Sequence, residues 1–218
     1  MNFQREFPLS RPEWKNKNVL SGFRTGFSRP DGMYMMSYTC DLIRMTPALQ
    51  PEEQLEFPSV MCNSMKYAPQ FQSAYLTGFP FLLHRVDVDG FKKANSKWML
   101  LSMWVEPIPG RDEIAVNGYR SIVILDATSL ETRRVIRAKT GIRSLAVDQK
   151  RNLIYVAQYF RGELAAYDLD TGEAKGAVFV GPLLRAVNFS EKNDRIYTGS
   201  SQGIYEIDPN IFEEMNTI

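Results

Sequence analysis

The chain of 218 residues contains one histidine, His84, and two cysteines, Cys40 and Cys62. Nucleophilic catalysis of the Ser/His/Asp or Cys/His kind needs that imidazole within hydrogen-bond reach of a nucleophile and of an orienting acid. Cys40, Cys62, Asp87 and Asp89 are the nearest candidates in sequence. His84, however, falls in Phe81 to Val88, which reads as a strand, and a solvated or hydrogen-bonded strand histidine accounts for it better. One His and two widely spaced Cys do not make a zinc site of ordinary spacing. Asp87-Val88-Asp89-Gly90 resembles the opening of a calcium loop, but Lys92 and Lys93 follow it and no glutamate closes twelve residues. A hairpin turn is the better reading. Met33, Met35, Met36 and Met45 beside Cys40 could suggest a soft-metal site. Met33 and Met35 alternate with Tyr34 and Met36, though, and a strand apolar on both faces is a packing element. The cysteines are read as two buried thiols rather than a bridge. Neither a GxGxxG nor a GxxxxGK[ST] pattern is present, and no cofactor, metal or catalytic residue is assigned.

Arg143 and Arg185 offer a different chemistry. Each begins an equivalent segment, and Arg24 and Lys66 fall near the corresponding places further upstream, two or three residues out of register. Four cationic heads converging on one point would bind a carboxylate or a phosphate. The simpler alternative is that each pairs with a neighbouring acid. Which holds depends on the elements that carry them.

Those elements repeat. Leu125-Asp126-Ala127-Thr128, Tyr167-Asp168-Leu169-Asp170 and Ile207-Asp208-Pro209 each close an alternating apolar run, at steps of about 40 residues, the period of a repeat array. Ile114-Ala115-Val116, Ile154-Tyr155-Val156 and Ile196-Tyr197-Thr198 keep the same step, and Ala74-Tyr75-Leu76 and Met33-Tyr34-Met35 carry it backwards. Within a unit, Leu145 to Val147, Leu153 to Ala157 and Glu163 to Leu169 are short apolar or alternating runs, the pattern of strands. Asp31-Gly32, Asp89-Gly90 and Asp170-Thr171-Gly172 supply turns between them. Residues 47 to 56 could form a helical turn interrupted by Pro51, and read as a surface insertion.

Four short antiparallel strands in about 40 residues make the blade of a β-propeller. The run Gly141-Ile142-Arg143-Ser144-Leu145-Ala146-Val147-Asp148, then Asn152 to Ala157, then Tyr167-Asp168-Leu169-Asp170-Thr171-Gly172-Glu173 resembles the YVTN/NHL class of propeller repeats, clearly over 112–208 and in frame only over 20–110. The Trp-Asp dipeptide and Gly-His start of WD repeats are missing. The resemblance implies binding at the faces or channel of a ring and no particular activity. The expected fold is all-β, a propeller of about five four-stranded blades in one domain, 1–218, with units at 20–60, 61–97, 98–138, 139–181 and 182–218. A partial six- or seven-bladed ring is the alternative. The last unit runs short of a fourth strand, which the alternating Phe3, Arg5, Phe7 and Leu9 could supply from the N-terminal end.

In a propeller the first strand of each blade lines the central channel, so Arg143, Arg185, Arg24 and Lys66 are the candidate ligand-binding residues, for a small anion at the channel mouth. The remaining calls concern partners. With 26 Lys+Arg against 25 Asp+Glu, the chain has no basic coat for nucleic acid. No apolar run suggests a membrane span or a signal peptide, so it reads as cytoplasmic as written and extracytoplasmic if it is a fragment of an exported parent. Absence of a converging nucleophile, base and metal set favours a non-catalytic module that presents its faces to a protein partner or a larger assembly. A lactonase- or hydrolase-like propeller enzyme, or an anion sensor using the arginines at the central channel, is the alternative. Pro107-Ile108-Pro109-Gly110 and residues 47–72 are the loops expected to meet a partner, and Asn188-Phe189-Ser190 is a glycosylation pattern on an inner strand that a glycan should not reach.

Overall fold

Alternating apolar runs of five to eight residues separated by turns leave the backbone one economical arrangement, the antiparallel meander. In the computed structural model, which describes residues 23–59, 61–79 and 82–215, five such meanders form a five-bladed β-propeller. Blade 1 is β1 (Phe23–Arg29), β2 (Gly32–Ser37), β3 (Asp41–Met45) and β4 (Pro51–Glu56). Blade 2 is β5 (Met61–Ala68), β6 (Ser73–Phe79), β7 (Leu82–Asp87) and β8 (Lys92–Trp98). Blade 3 is β9 (Val105–Pro107), β10 (Glu113–Asn117), β11 (Ser121–Asp126) and β12 (Thr132–Arg137). Blade 4 is β13 (Ile142–Asp148), β14 (Leu153–Gln158), β15 (Glu163–Asp168) and β16 (Ala174–Phe179). Blade 5 comprises β17 (Ala186–Ser190), β18 (Arg195–Ser200) and β19 (Gly203–Ile207), followed by a single helical turn, α1 (Ile211–Glu214).

The period-2 pattern of each second strand explains the stacking. Along β14 all six residues are buried. Ile154 and Val156 pack into the core shared with blade 3, while Leu153, Tyr155 and Ala157 pack into the core shared with blade 5. β6 divides in the same way, with Ala74 and Leu76 facing blade 1 and Tyr75 facing blade 3. A strand that fills two cores has no polar face to alternate with, which is why the Ile-Tyr-Val runs look continuously apolar. Each fully buried aliphatic side chain contributes about 1.5–3 kcal/mol relative to exposure. Tyr34 and Met36 fill the core with blade 2, as a packing role for the methionine-rich strand requires, and Met33 and Met35 on the other face are half-buried.

Several expectations are corrected. Residues 51–56 are neither a helical turn nor part of an insertion, but the outer strand of blade 1. Thr46 and Gln50 close a tight turn, with the Thr46 N–H donating to the Gln50 carbonyl at 2.8 Å, and Arg44 pairs across to Glu53 at 2.8 Å. An edge strand tolerates Pro at its first residue and charge along its length, so β4 lacks the apolar signature of an inner strand. The Pro107–Gly110 segment is a tight β9–β10 turn anchored by the wholly buried Ile108, not a free loop. The cysteines are buried as expected, but they form a disulfide between the β2–β3 turn and β5, with their Cα atoms 4.9 Å apart. The Cys62 N–H donates to the Tyr38 carbonyl at 3.0 Å, and this loop-to-strand contact between two blades is what brings the thiols together.

Four apolar cores join consecutive blades, and among the described residues no fifth core joins blade 5 to blade 1. The outward face of blade 5 is accordingly open. Ile204 is 86% exposed and Asn188, although on an inner strand, is exposed as well. The expected inaccessibility of Asn188 therefore does not hold, since no blade covers that side of it among the described residues. The proposed outer strand from residues 2–9 lies outside the described residues.

Candidate functional site

The inner strands are irregular at one equivalent place. Pairing of β1 with β2 shifts between Phe23 and Thr25, that of β5 with β6 between Cys62 and Ser64, and that of β13 with β14 between Ile142 and Ser144. The skipped residues are Arg24, Asn63 and Arg143. A bulge leaves one residue outside the ladder and re-aims its side chain. In blade 3 the equivalent residue is Met103, just ahead of β9, where the Asn117 side-chain oxygen accepts from the backbone N–H groups of Met103 at 2.8 Å and Trp104 at 2.6 Å. In blade 5 it is Arg185, whose N–H donates to Gly199 at 2.9 Å. All five residues line one cavity of about 580 Å³ at this end of the channel.

Arg24, Arg143, Arg185 and Lys66 are thus brought together in that cavity, with Asn63, Ser64, Tyr67 and Trp104 among its other walls. Lys66 stands apart from the arginines. It lies three residues beyond the bulge, pairs with Glu106 at 3.0 Å and packs over the Trp104 ring at 5.3 Å. The position in register is Asn63, and a count from sequence misses it because the bulge shifts the frame locally. Burial raises the Glu106 carboxyl above its ordinary range, while Lys66 and the Trp104 indole N–H, which donates at 3.0 Å, pull it back.

The three arginines have no carboxylate partner among the described residues. Arg24 lies over the Tyr38 ring at 5.2 Å and Arg185 over the Tyr159 ring at 5.6 Å. Arg143 directs Nη1 at the Met103 sulfur, 3.2 Å away, and a thioether is a weak acceptor. Burial and the positive fields of Arg24 and Arg185 push the Arg143 pKa down, although a guanidinium stays charged. Asn63 Oδ1 is buried without a hydrogen-bond partner.

The arginines at the other end of the strands behave differently. Arg134 is bidentate to Glu113 at 2.6 and 2.9 Å, Arg111 pairs with Asp170 at 2.6 Å, and Arg151 bridges Asp148 at 2.9 Å and Asp194 at 2.7 Å. Those cations are paired in place, and the Arg111–Asp170 and Arg151–Asp194 pairs tie neighbouring blades together. Arg24, Arg143 and Arg185, facing one cavity, have no such carboxylate partner among the described residues. Like charges held together in a half-buried cavity repel, and a bound anion relieves that repulsion.

No family model matches the chain, and no curated protein matches its sequence. The other sequence candidates resolve on geometry alone. His84 is 1% exposed, and its Nδ1 and Nε2 lie 2.8 Å from Ser96 Oγ and 3.2 Å from Ser59 Oγ. Burial, with Lys93 nearby, lowers its pKa to about 4. It is a hydrogen-bonded core residue with no acid to orient it. Asp87 accepts from the Gly90 N–H at 3.2 Å in a β7–β8 turn. Among the described residues no three His, Cys, Asp or Glu side chains come together as metal ligands, and no helix is long and apolar enough to cross a membrane. Met103, Trp104, Tyr159 and Phe160, which also line cavities at this mouth, were not singled out by the sequence. Met103 was legible in principle, because it stands one repeat before Arg143.

Proposed function

We propose that the chain is a non-catalytic binding module, one propeller domain of YVTN/NHL-type repeats, that recognises an anionic group at the mouth of its channel and offers the surrounding face to the partner that carries it. One observation carries this reading. Arg24 and Arg143, at the inner-strand bulges, and Arg185, immediately before β17, face a single cavity, and none of them pairs with a carboxylate among the described residues. The Tyr38 and Tyr159 rings and the Met103 sulfur give the three heads their side-chain contacts and leave guanidinium N–H groups available to a ligand. Bidentate guanidinium contacts then favour carboxylate or phosphate over a monatomic anion.

The test is calorimetry with inorganic phosphate and with acetate, at 50 and 200 mM salt. Wild type should bind at least one of them, more weakly at the higher salt. Arg143→Gln combined with Arg185→Gln should reduce affinity at least ten-fold without lowering the melting temperature, since neither side chain has an ion pair to lose among the described residues. Binding of both anions unchanged in that variant, or absent from the wild type, would refute the reading.

A further inference from the structure

On the reading that the mouth binds an anion, we infer that its ligand is an N-acylated aromatic amino acid, with its carboxylate on the arginines and its ring in an adjoining apolar recess, either as a free small molecule or as the C-terminal residue of a partner chain. The recess has a volume of about 290 Å³ and shares Met103, Arg143 and Arg185 with the larger cavity. Its remaining walls are Gly141, Ile142, Tyr159 and Phe160. A group held by Arg143 and Arg185 therefore stands at the boundary of a polar chamber and an apolar one.

The walls suit a flat ring. Phe160 is 79% exposed, and it meets Tyr159 edge-on, with centroids 5.2 Å apart at 82°. A large aromatic left in water beside an apolar hollow gains by stacking against a ligand ring. Gly141, at φ +86°, keeps the floor of the recess thin, since a Cβ there would lie 2.7 Å from the Phe160 ring. Arg185 already packs over Tyr159, which orients its fork at the recess entrance. The Met103 sulfur spans the boundary and adapts to an aromatic edge. Asn63 Oδ1, buried and without a partner among the described residues, belongs to a wall of the polar chamber and is the acceptor we assign to the N–H of an acylamino group. The two volumes fall in the range of small-ligand pockets.

The experiment is calorimetry of the full chain with N-acetyl-phenylalanine, N-acetyl-alanine, N-acetyl-phenylalanine amide and an N-acetylated pentapeptide ending in Phe. N-acetyl-phenylalanine should bind 10- to 100-fold more tightly than N-acetyl-alanine, the gain expected for burying a ring. The amide should lose at least ten-fold. Phe160→Ser, which removes the exposed wall of the recess, should bring the Phe acid down to the Ala acid. A pentapeptide that binds as well as the single residue points to a protein C-terminus, and one that binds much more weakly points to a free acid. Equal affinity for the Phe and Ala acids, with phosphate binding still dependent on Arg143, would overturn this inference and leave the anion site standing. Failure of every anion, phosphate included, would remove the proposed function and this inference with it.

Discussion

Opening the Cys40–Cys62 bridge should cost about 3 kcal/mol of stability. The bridge closes a loop with a sequence separation of 22 residues. The chain-entropy relation then gives about 3 kcal/mol at room temperature for its constraint on the unfolded chain. In a chain of this size each kcal/mol moves the midpoint by about 2–4 °C, so the melting temperature should fall by roughly 6–12 °C. Both sulfurs are fully buried, so the reduced sample must be prepared by unfolding with a phosphine and refolding under it. The double variant Cys40→Ala, Cys62→Ala should lose slightly more, because it also removes packing from the core between blades 1 and 2. Calorimetric melts of the three samples, with alkylation and mass spectrometry to count thiols, decide the matter. Midpoints within 2 °C of one another, or two alkylated cysteines in protein denatured without reductant, would show the reasoning to be wrong. The same bridge borders the mouth, since Cys62 immediately precedes the bulged Asn63, so reduction should weaken anion binding as well as lower stability.

His84 supplies a pH signature. Its pKa falls from the ordinary 6.5 to about 4 in the fold, so between those values the unfolded chain holds more protons and stability rises with pH. The contribution, about 3 kcal/mol by linkage, is complete above pH 6.5 and lost on acidification toward pH 4. His84→Gln should flatten that limb in urea titrations, and an unchanged slope would count against the buried neutral ring. Glu106→Gln should free Lys66 from its partner and tighten phosphate binding several-fold at neutral pH, read by calorimetry. Weaker binding in that variant would mean that the Glu106–Lys66 pair positions the site rather than silencing one of its charges.

The propeller was legible in the sequence because its cause is periodic. The Ile154-Tyr155-Val156 and Ile196-Tyr197-Thr198 runs recur at the blade interval, and strands buried on both faces leave an unmistakable apolar trace. Residues 51–56 escaped for the opposite reason. An outer strand faces water, tolerates Pro51 and carries Glu52 and Glu53, so its composition says nothing of the ladder it completes.

At the mouth, residue types and spacing pointed to Arg143, Arg185, Arg24 and Lys66, and all four line the cavity. Which of them lack a carboxylate partner among the described residues was a matter for the tertiary structure. A bulge one residue long put Asn63 in register and set Lys66 against Glu106, and no linear pattern records such a slip. The disulfide was equally hidden, since two cysteines on different blades become neighbours only when the blades stack. Sequence determined the repeating unit, because local periodicity is written residue by residue. The fold decided the site and the bridge, because each depends on distances between segments about one repeat apart.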